Sequence, residues 1–252
     1  MFQKIIGNWP SHKQLILCSC DNVYLNKYFP RFYKTFTKHW SLPIHVHVID
    51  PSKESLNKLK ELRISHTYCK TTEYDWNKQV QKFKQHNAVN GHTDADIQQW
   101  LYESYCQCQR FVVMGKHIHN NQSVIVADVD AYAQHTPTEQ QRIHLLGHTG
   151  FTHYKDRLMA TFCHFHSKDI AKTKQLATVI LDKTFEIGLD QTAIKQIFKN
   201  TDIIDLKNSE WIRHWDIKTA SDEQAHAKCL IYHAKGLRGK QKSVGITWTD
   251  IK

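Results

Sequence analysis

Two aspartates separated by one residue follow a short apolar run near the middle of the chain. The run Val124–Ala127 is rich in β-branched residues, which predicts a buried strand, and Asp128 and Asp130 follow it. If the backbone stays extended through Val129, both carboxylates point to the same side, roughly 7 Å apart at about 3.3 Å of rise per residue. One carboxylate could then bind a hard divalent cation while the other holds a metal-bound water or a ligand hydroxyl. An acidic turn that caps the next element is the alternative that the motif alone leaves open.

The composition indicates one globular domain without a membrane span. The 252 residues are 40% hydrophobic and 23% charged, which suits a single domain over residues 1–252 with a sizeable core. No apolar run is long enough to cross a bilayer, and Met1–Pro10 lacks the apolar stretch of a signal peptide. Seven cysteines form an odd set without small-domain spacing, which favours reduced thiols. We therefore expect a cytoplasmic protein.

The net charge favours an anionic ligand. The chain has 34 lysines and arginines against 24 aspartates and glutamates, for a formal charge of +10, and its 18 histidines would add to this in mild acid. The basic residues are spread along the chain, apart from a cluster at Lys235, Arg238, Lys240 and Lys242. A nucleic-acid-binding protein more often has a basic stripe with interleaved aromatic residues. We therefore expect a small phosphate-bearing ligand and no nucleic acid.

The first third of the chain alternates strand and helix patterns. Asp21 can cap a helix that either kinks at Pro30 or begins after it, and Ser52 caps a second helix through Leu62. Apolar runs before, between and after these helices predict three strands: Leu15–Cys18, Ile44–Ile49 and Ile64–Cys69. The pattern so far is β-α-β-α-β.

The rest of the chain continues with helices and strands after a polar stretch. The stretch Thr71–Asn90 predicts a surface excursion, and Asp94 is the predicted N-cap of a long helix. One face of that helix carries the apolar residues Ile97, Trp100, Leu101, Tyr105, Cys108 and Phe111. The later elements are predicted as a strand over Arg157–Phe165, a helix from Ser167 to near Leu181, a helix opened by Gly188, and short strands at Ile203–Leu206 and Leu230–Tyr232.

Polar side chains follow two of the predicted strands where these end. Ser19–Asp21 follows the first strand, and Asp128–Asp130 follows the strand at mid-chain. Strands joined by helices form a parallel sheet, and ligands of such sheets bind outside the carboxyl ends of the strands. We therefore expect both segments to line a common cleft.

Several short segments, taken in order, resemble a known family. They read LILCSCDNVY, IHVHVID, CQRFVV, VIVADVDAYA, IGLDQTAI and IYHAKGLRGK, and span roughly residues 14–240. Their order and spacing are similar to those of nucleotide-sugar glycosyltransferases of the GT-A fold, most of all family 8 and its relatives. The resemblance implies an α/β fold, Rossmann-like, with a mostly parallel central sheet flanked by helices in one domain. A nucleotide-binding half would cover about residues 1–132, and an acceptor and sugar half about residues 133–252.

The resemblance also implies where the donor nucleotide binds. Cys18–Tyr24 would form its pocket, which includes Ser19, with Asp21 near the base and Tyr24 stacking on it. Arg110 would contact the donor. Tyr24 has an alternative as a helix-surface or core aromatic. Arg110 could instead pair with an acidic residue on the polar side of its helix.

A metal site is the second implication of the resemblance. Asp128 and Asp130 would hold Mn²⁺ or Mg²⁺ together with the diphosphate and ribose, and His233 would be the third protein ligand. Glycosyl transfer leaves negative charge on the diphosphate, which a divalent ion stabilises as a Lewis acid. Histidine in the ligand set favours manganese over calcium. A core histidine satisfied by the backbone is the competing interpretation of His233.

The remaining implied site residues surround the sugar and the diphosphate. Asp190 and Gln191 would lie near the transferred sugar as the catalytic pair, although Asp190 could equally cap the helix that follows. Gly236 and Lys240 belong to a segment that would grip the diphosphate. In the family this motif commonly reads His-x-x-Gly-x-x-Lys, whereas here the lysine comes one residue late. Either the loop has an extra residue, or Lys235 or Arg238 takes the role of that lysine. Two further residues of the cleft wall would be Ala160 and Thr161.

The function that these residues favour is transfer of a sugar from a nucleotide-diphosphate sugar, with uridine as its nucleoside, to a glycan, lipid or protein acceptor. The resemblance leans toward retention of anomeric configuration. Two rival functions remain at this point. One is a phosphohydrolase of the haloacid-dehalogenase type, which uses the first carboxylate of its Asp-x-Asp as nucleophile, here Asp128 with Asp130. The other is a nucleic-acid-binding module that uses the net positive charge.

Overall fold

The computed structural model describes most of the chain. The described residues are 4–72, 74–87, 91–154, 157–183, 186, 188–199, 204–205, 211–213, 224, 227–233 and 245–251. Among them, no helix combines the length and the apolar character that crossing a membrane requires. All seven cysteines fall within these ranges as free thiols, as expected.

Two sheets organise the molecule. The larger sheet has eight strands: β1 (Ile6–Gly7), β2 (Gln14–Asp21), β3 (Ile44–Ile49), β4 (Ser65–Cys69), β5 (Ser123–Ala127), β7 (Gly150–Tyr154), β8 (Arg157–His166) and β9 (Ile204–Asp205). The smaller sheet has three short strands: β6 (Ala131–Ala133), β10 (Ile212–Arg213) and β11 (Ile231–His233).

The order of strands in the large sheet is β1-β4-β3-β2-β5-β8-β7-β9. The four strands β4, β3, β2 and β5 pair in parallel at its centre, while β8 runs antiparallel to β5. In the small sheet β11 lies between β10 and β6. The prediction of an α/β fold with a mostly parallel central sheet is confirmed.

Helices cover both faces of the large sheet. Their bounds are α1 (Asn22–Lys27), α2 (Phe29–Trp40), α3 (Lys53–Glu61), α4 (Trp76–His86), α5 (Asp94–His117), α6 (Glu139–Leu146), α7 (Ile170–Asp182) and α8 (Leu189–Phe198). Alternate residues of β2 pack to opposite sides, with Leu15 and Leu17 in the cluster around α5 and Ile16 and Cys18 in the cluster around α2. The sheet is therefore buried on both faces, which explains its continuous apolar strands.

Several element boundaries differ from the sequence prediction. Helix α2 starts at Phe29, because Pro30 fits the first turn, where its missing N–H costs nothing. Thr93, and not Asp94, caps α5, since its side chain and that of Asp96 form a capping box. The predicted excursion Thr71–Asn90 contains helix α4.

Two further predictions of local structure were also inexact. Ser167 lies in a 3-10 turn that precedes α7, so the α-helix itself starts at Ile170. The aspartates after β5 are not in extended backbone, because Ala131 N–H donates to Asp128 O at 3.0 Å and closes a turn. The even alternation assumed for Asp128 and Asp130 was therefore wrong.

The buried histidines His47 and His164 titrate far below their ordinary pKa. His47 on β3 and His164 on β8 are fully buried, and burial lowers the pKa of each to about 3. His47 Nδ1 lies 3.0 Å from Thr67 Oγ1, and His164 Nδ1 hydrogen-bonds to the His148 carbonyl. Each imidazole is thus held neutral inside the sheet.

We predict that mild acid destabilises the fold through these two side chains. In the unfolded chain a histidine takes up a proton below a pKa of about 6.5, whereas here it stays neutral down to about pH 3. The stabilising contribution is therefore complete above pH 6.5 and shrinks as the pH falls, by about 1 kcal/mol per histidine at pH 5.5. Urea unfolding at pH 7.0 and 5.5 measures this difference. The variant His164→Gln should show a smaller difference, and equal pH dependence in both proteins would contradict the assignment.

Helix α5 approaches α7 closely at a glycine. A Cβ built on Gly115 would lie 2.5 Å from Ala177 Cβ and 3.0 Å from Thr173 O. This approach matters for the cleft described below, because α7 leads into α8 and α5 carries Arg110.

We predict that Gly115→Ala destabilises the protein by about 1–3 kcal/mol through overpacking. The sign of the change in unfolding free energy is informative, because replacing glycine by alanine on an open helix surface stabilises a protein by about 1 kcal/mol through helix propensity. Chemical denaturation gives the free energy of unfolding. Adding Ala177→Gly removes the opposing Cβ and should recover part of the loss, whereas a stabilised single variant would contradict the close approach.

Candidate functional site

A cleft of about 600 Å³ opens at the carboxyl ends of β2 and β5. Its size is ordinary for a site that binds a small organic ligand. The residues that line it come from six parts of the chain: Ser19, Cys20, Asp21, Tyr24; Gln99, Tyr102, Glu103, Cys106, Gln107, Arg110; Asp128, Val129, Asp130; Met159, Ala160, Thr161; Asp190, Gln191; and His233. The expected meeting of the two strand ends in one cleft is confirmed.

Two aspartates and a histidine converge on one side of the cleft. His233 Nε2 lies 3.3 Å from Asp128 Oδ2 and 3.3 Å from Asp130 Oδ1. The aspartates come from the turn after β5, and His233 is the last residue of β11. One ligand atom from each residue falls within 4.8 Å of the others, and within the described ranges this is the group with spacing suited to a metal ion.

The protonation of His233 reports the electrostatics of this cluster. Burial alone would lower the pKa of His233, but the charges of Asp130 and Asp128, and their hydrogen bonds, outweigh burial and raise its pKa to about 9. The imidazole is therefore a cation at neutral pH. The place where the two carboxylates converge stabilises positive charge, as a cation site must.

The three side chains fit a divalent metal ion. Oxygen and imidazole ligands that surround an ion at about 2.1 Å lie about 3 Å from one another, close to the spacing of the cluster. Carboxylate oxygens suit Mg²⁺ and Mn²⁺, and the imidazole suits Mn²⁺ better. Loading the site requires His233 to release its proton, because only the neutral imidazole is a ligand.

Arg110 connects two aspartates of the cleft, Asp128 and Asp190. Its side chain is 5% exposed, and its Nη1 forms an ion pair with Asp128 Oδ1. Its Nη2 lies 3.2 Å from Asp190 Oδ2 and donates to Ala160 O at 3.1 Å. Pairing with acidic residues is thus part of its role, but the partners come from other elements and not from its own helix. Contact with a donor remains a prediction.

Asp190 lies in the first turn of α8 and does not cap that helix. The N-cap is Gly188, whose φ of +79° is readily adopted by glycine. Asp190 Oδ1 accepts from Gln191 N–H at 2.8 Å, while Oδ2 faces Arg110. Burial raises the pKa of Asp190, and the Arg110 guanidinium opposes that shift. The N-cap alternative was wrong, and the carboxylate faces the cleft.

The other end of the cleft is formed by β2 and α1. Asp21 caps α1 as predicted, since its Oδ1 accepts from Tyr24 N–H at 2.7 Å. The Tyr24 ring lies 4.9 Å from that of Tyr28 and also borders the cleft. The hydroxyl of Ser19 is buried at the cleft wall and has no hydrogen-bond partner within the described ranges. A polar ligand could supply that partner.

Helix α5 supplies cleft residues that the sequence analysis did not identify. Successive turns before Arg110 present Gln99, Tyr102, Glu103, Cys106 and Gln107. Their spacing of three and four residues back from Arg110 is the signal that could have found them. Gly236, Lys240, Lys235 and Arg238 lie outside the described residues, so the predicted phosphate contacts are not described.

Solved structures of glycosyltransferases share this architecture. The chain is similar to apo WbbM, a bifunctional glycosyltransferase, with a TM-score of 0.58 and 12% identity over 96% of this chain and 51% of that chain. GlyE of Streptococcus pneumoniae is similar with a TM-score of 0.56 and 12% identity, over 95% of this chain and 62% of that chain. An active-site mutant of LgtC is similar with a TM-score of 0.53 and 10% identity, over 94% of both chains.

The chain has the GT-A glycosyltransferase fold. It spans about half of WbbM and less than two thirds of GlyE, but nearly all of the LgtC mutant. A further similar structure is LgtC in complex with donor and acceptor sugar analogues, with a TM-score of 0.51 and 12% identity over 88% of this chain and 87% of that chain. No protein-family model matches the sequence, and no curated protein matches it. Membership of family 8 stays a prediction.

We predict that Arg110→Met destabilises the protein by about 3–5 kcal/mol, because the change leaves Asp128 and Asp190 without their shared cation. Urea unfolding measures the loss. The double variant Arg110→Met/Asp190→Asn should lose less than the sum of the single changes, since one uncompensated charge is gone. Arg142→Met on α6 is the control for replacing an arginine, with an expected change within about 0.5 kcal/mol. Additive losses in the double variant would contradict the ion-pair geometry.

Proposed function

We propose that the protein is a metal-dependent glycosyltransferase that moves a sugar from a nucleotide-diphosphate sugar, with uridine as nucleoside, to a hydroxyl of an acceptor. The observation that carries this proposal is the cluster of Asp128, Asp130 and His233 inside the cleft of a GT-A fold. The cleft volume and its six contributing segments support a ligand with several chemically distinct parts. The LgtC complex with donor and acceptor sugar analogues is consistent with such a ligand.

Asp128, Asp130 and His233 are the proposed ligands of Mn²⁺ or Mg²⁺. When bound, the ion would stabilise the negative charge that develops on the diphosphate leaving group. The residues themselves set the conditions for donor binding. The described lining holds more carboxylates than cations, so an anionic diphosphate is repelled unless a divalent ion neutralises that excess. Donor binding is therefore expected to need the metal.

Asp190 and Gln191 are proposed to contact the transferred sugar. Both border the cleft, and Arg110 together with the Gln191 N–H holds the Asp190 carboxylate in one orientation. One LgtC structure replaces an active-site glutamine by glutamate, and Gln191 is the cleft glutamine beside Asp190. Resemblance to family 8 supports retention of anomeric configuration.

The opposite end of the cleft is proposed to bind the nucleoside. Ser19 offers a buried hydroxyl, Asp21 a carboxylate oxygen, and Tyr24 an aromatic ring, which are the groups that a base and ribose need. Among the described residues, the Asp21 carboxylate accepts from Tyr24 N–H, and it has acceptor capacity for a ligand N–H or O–H as well. These assignments complete the proposed division of the cleft into nucleoside, diphosphate and sugar regions.

A phosphohydrolase is less compatible with the same residues. Its nucleophile would be Asp128, yet one oxygen of that carboxylate pairs with Arg110 and the other lies 3.3 Å from His233 Nε2. A nucleophilic carboxylate needs an oxygen available for attack. The geometry therefore favours a structural and metal-binding role for Asp128.

We predict that UDP in the presence of Mn²⁺ stabilises the protein by roughly 3 kcal/mol at a hundredfold excess over its dissociation constant. Thermal unfolding with UDP, Mn²⁺, both together, and other nucleotide diphosphates measures the response. Asp130→Ala should abolish the metal-dependent part, because it removes a proposed ligand. Glu61→Ala on α3, outside the described cleft lining, should respond like the unaltered protein. No response to any nucleotide diphosphate with Mn²⁺ would contradict the proposed function.

A further inference from the structure

The histidine of the metal cluster is carried by a strand that is too short to fix its own pairing. Strand β11 has three residues, as does β6, and β10 has two. Isolated pairs of such length are marginal and depend on packing against other elements. Neighbouring side chains of a strand point to opposite faces, so a slip of one residue would put Tyr232 on the face that His233 now occupies. Contacts outside the strand backbones must therefore specify the register.

Two tyrosines lie directly opposite each other across β6 and β11. The register pairs Tyr132 with Tyr232 and Ala131 with His233. The two rings are stacked, with centroids 4.8 Å apart and planes 23° apart, and they form an apolar cluster of their own. Both side chains are at least nine-tenths buried, on the face opposite to the imidazole. An opposed aromatic pair stabilises the register that aligns its rings.

Helix α2 contacts β6, an edge strand of the small sheet, at two points. The Arg31 guanidinium carbon lies 3.8 Å from the centroid of the Tyr132 ring. The Nε of Arg31 is buried and donates to no atom of the described chain, so stacking on the ring is the contact that the structure provides for it. One turn later, Thr35 Oγ1 accepts from Ala133 N–H at 3.2 Å. Helix α2 packs in the core through Phe32, so its contacts with β6 fix the small sheet against the core.

We propose that Tyr232 is a positioning residue for His233. Its stack on Tyr132, beneath Arg31, fixes the register of β11 that presents the imidazole to the two aspartates. Tyr232 is not among the cleft-lining residues and acts only through its neighbour in sequence. The inference rests on the proposed function, because it assigns Tyr232 a task in the proposed metal site.

The test measures Mn²⁺ affinity directly, by electron paramagnetic resonance of free Mn²⁺ and by calorimetry, at a temperature where every variant is folded. Tyr232→Leu removes the ring and should weaken Mn²⁺ binding about 10- to 100-fold, the range found when residues that orient a metal ligand are changed. Tyr232→Phe keeps the stack and should retain the affinity. Arg31→Met removes the cation above Tyr132 and should weaken binding in the same direction.

A destabilised control separates positioning from general loss of stability. Leu59→Ala in α3 removes a fully buried side chain outside the cleft lining and should lower the melting temperature without changing Mn²⁺ affinity. Unchanged affinity in folded Tyr232→Leu would overturn the positioning role while leaving the metal site intact. Equal weakening in Leu59→Ala would also overturn it. If the unaltered protein bound no Mn²⁺, both this inference and the proposed function would fail.

Discussion

The fold depends on how it neutralises three carboxylates that converge at one end of the sheet. Asp128, Asp130 and Asp190 are too little exposed to be solvated as free ions, and their mutual repulsion would oppose folding. Arg110 pairs with two of them from the helix side, and His233 approaches two of them from the small sheet. Arg110 lies on α5 and His233 on β11, far apart in the chain. Charge balance therefore links α5, α8 and β11 at one point.

The sequence predicted the place of the site better than its local geometry. The strand-end positions of Asp21 and Asp128 indicated a common cleft, because parallel strands end at the same edge of a sheet. The turn that redirects Asp130 was not predictable from the residue pattern, since it depends on a hydrogen bond from Ala131 N–H to a carbonyl. Asp190 was misjudged as a possible cap because the competing attraction of Arg110 comes from 80 positions away.

Helical surfaces were the least predictable part of the site. The face of α5 that packs on the sheet has apolar residues at regular spacing, whereas the cleft face mixes amide, acidic, aromatic and thiol side chains with no single chemical signature. Such a face cannot be distinguished from a solvated one without knowing what stands across from it. The same reasoning applies to α4, in which Val80 is the one buried residue. Periodicity predicts what contacts the core but not what borders a cavity.

The position of β11 in the chain has a consequence for how the protein matures. The parallel strands β2 to β5 are complete by residue 127, whereas His233 follows more than a hundred positions later. During synthesis the two aspartates of the turn after β5 are therefore in place in the chain long before the histidine. A chain synthesised only as far as β6 contains Asp128 and Asp130 but lacks His233, the third proposed ligand. The proposed cation site is therefore complete only after residue 233 has been synthesised.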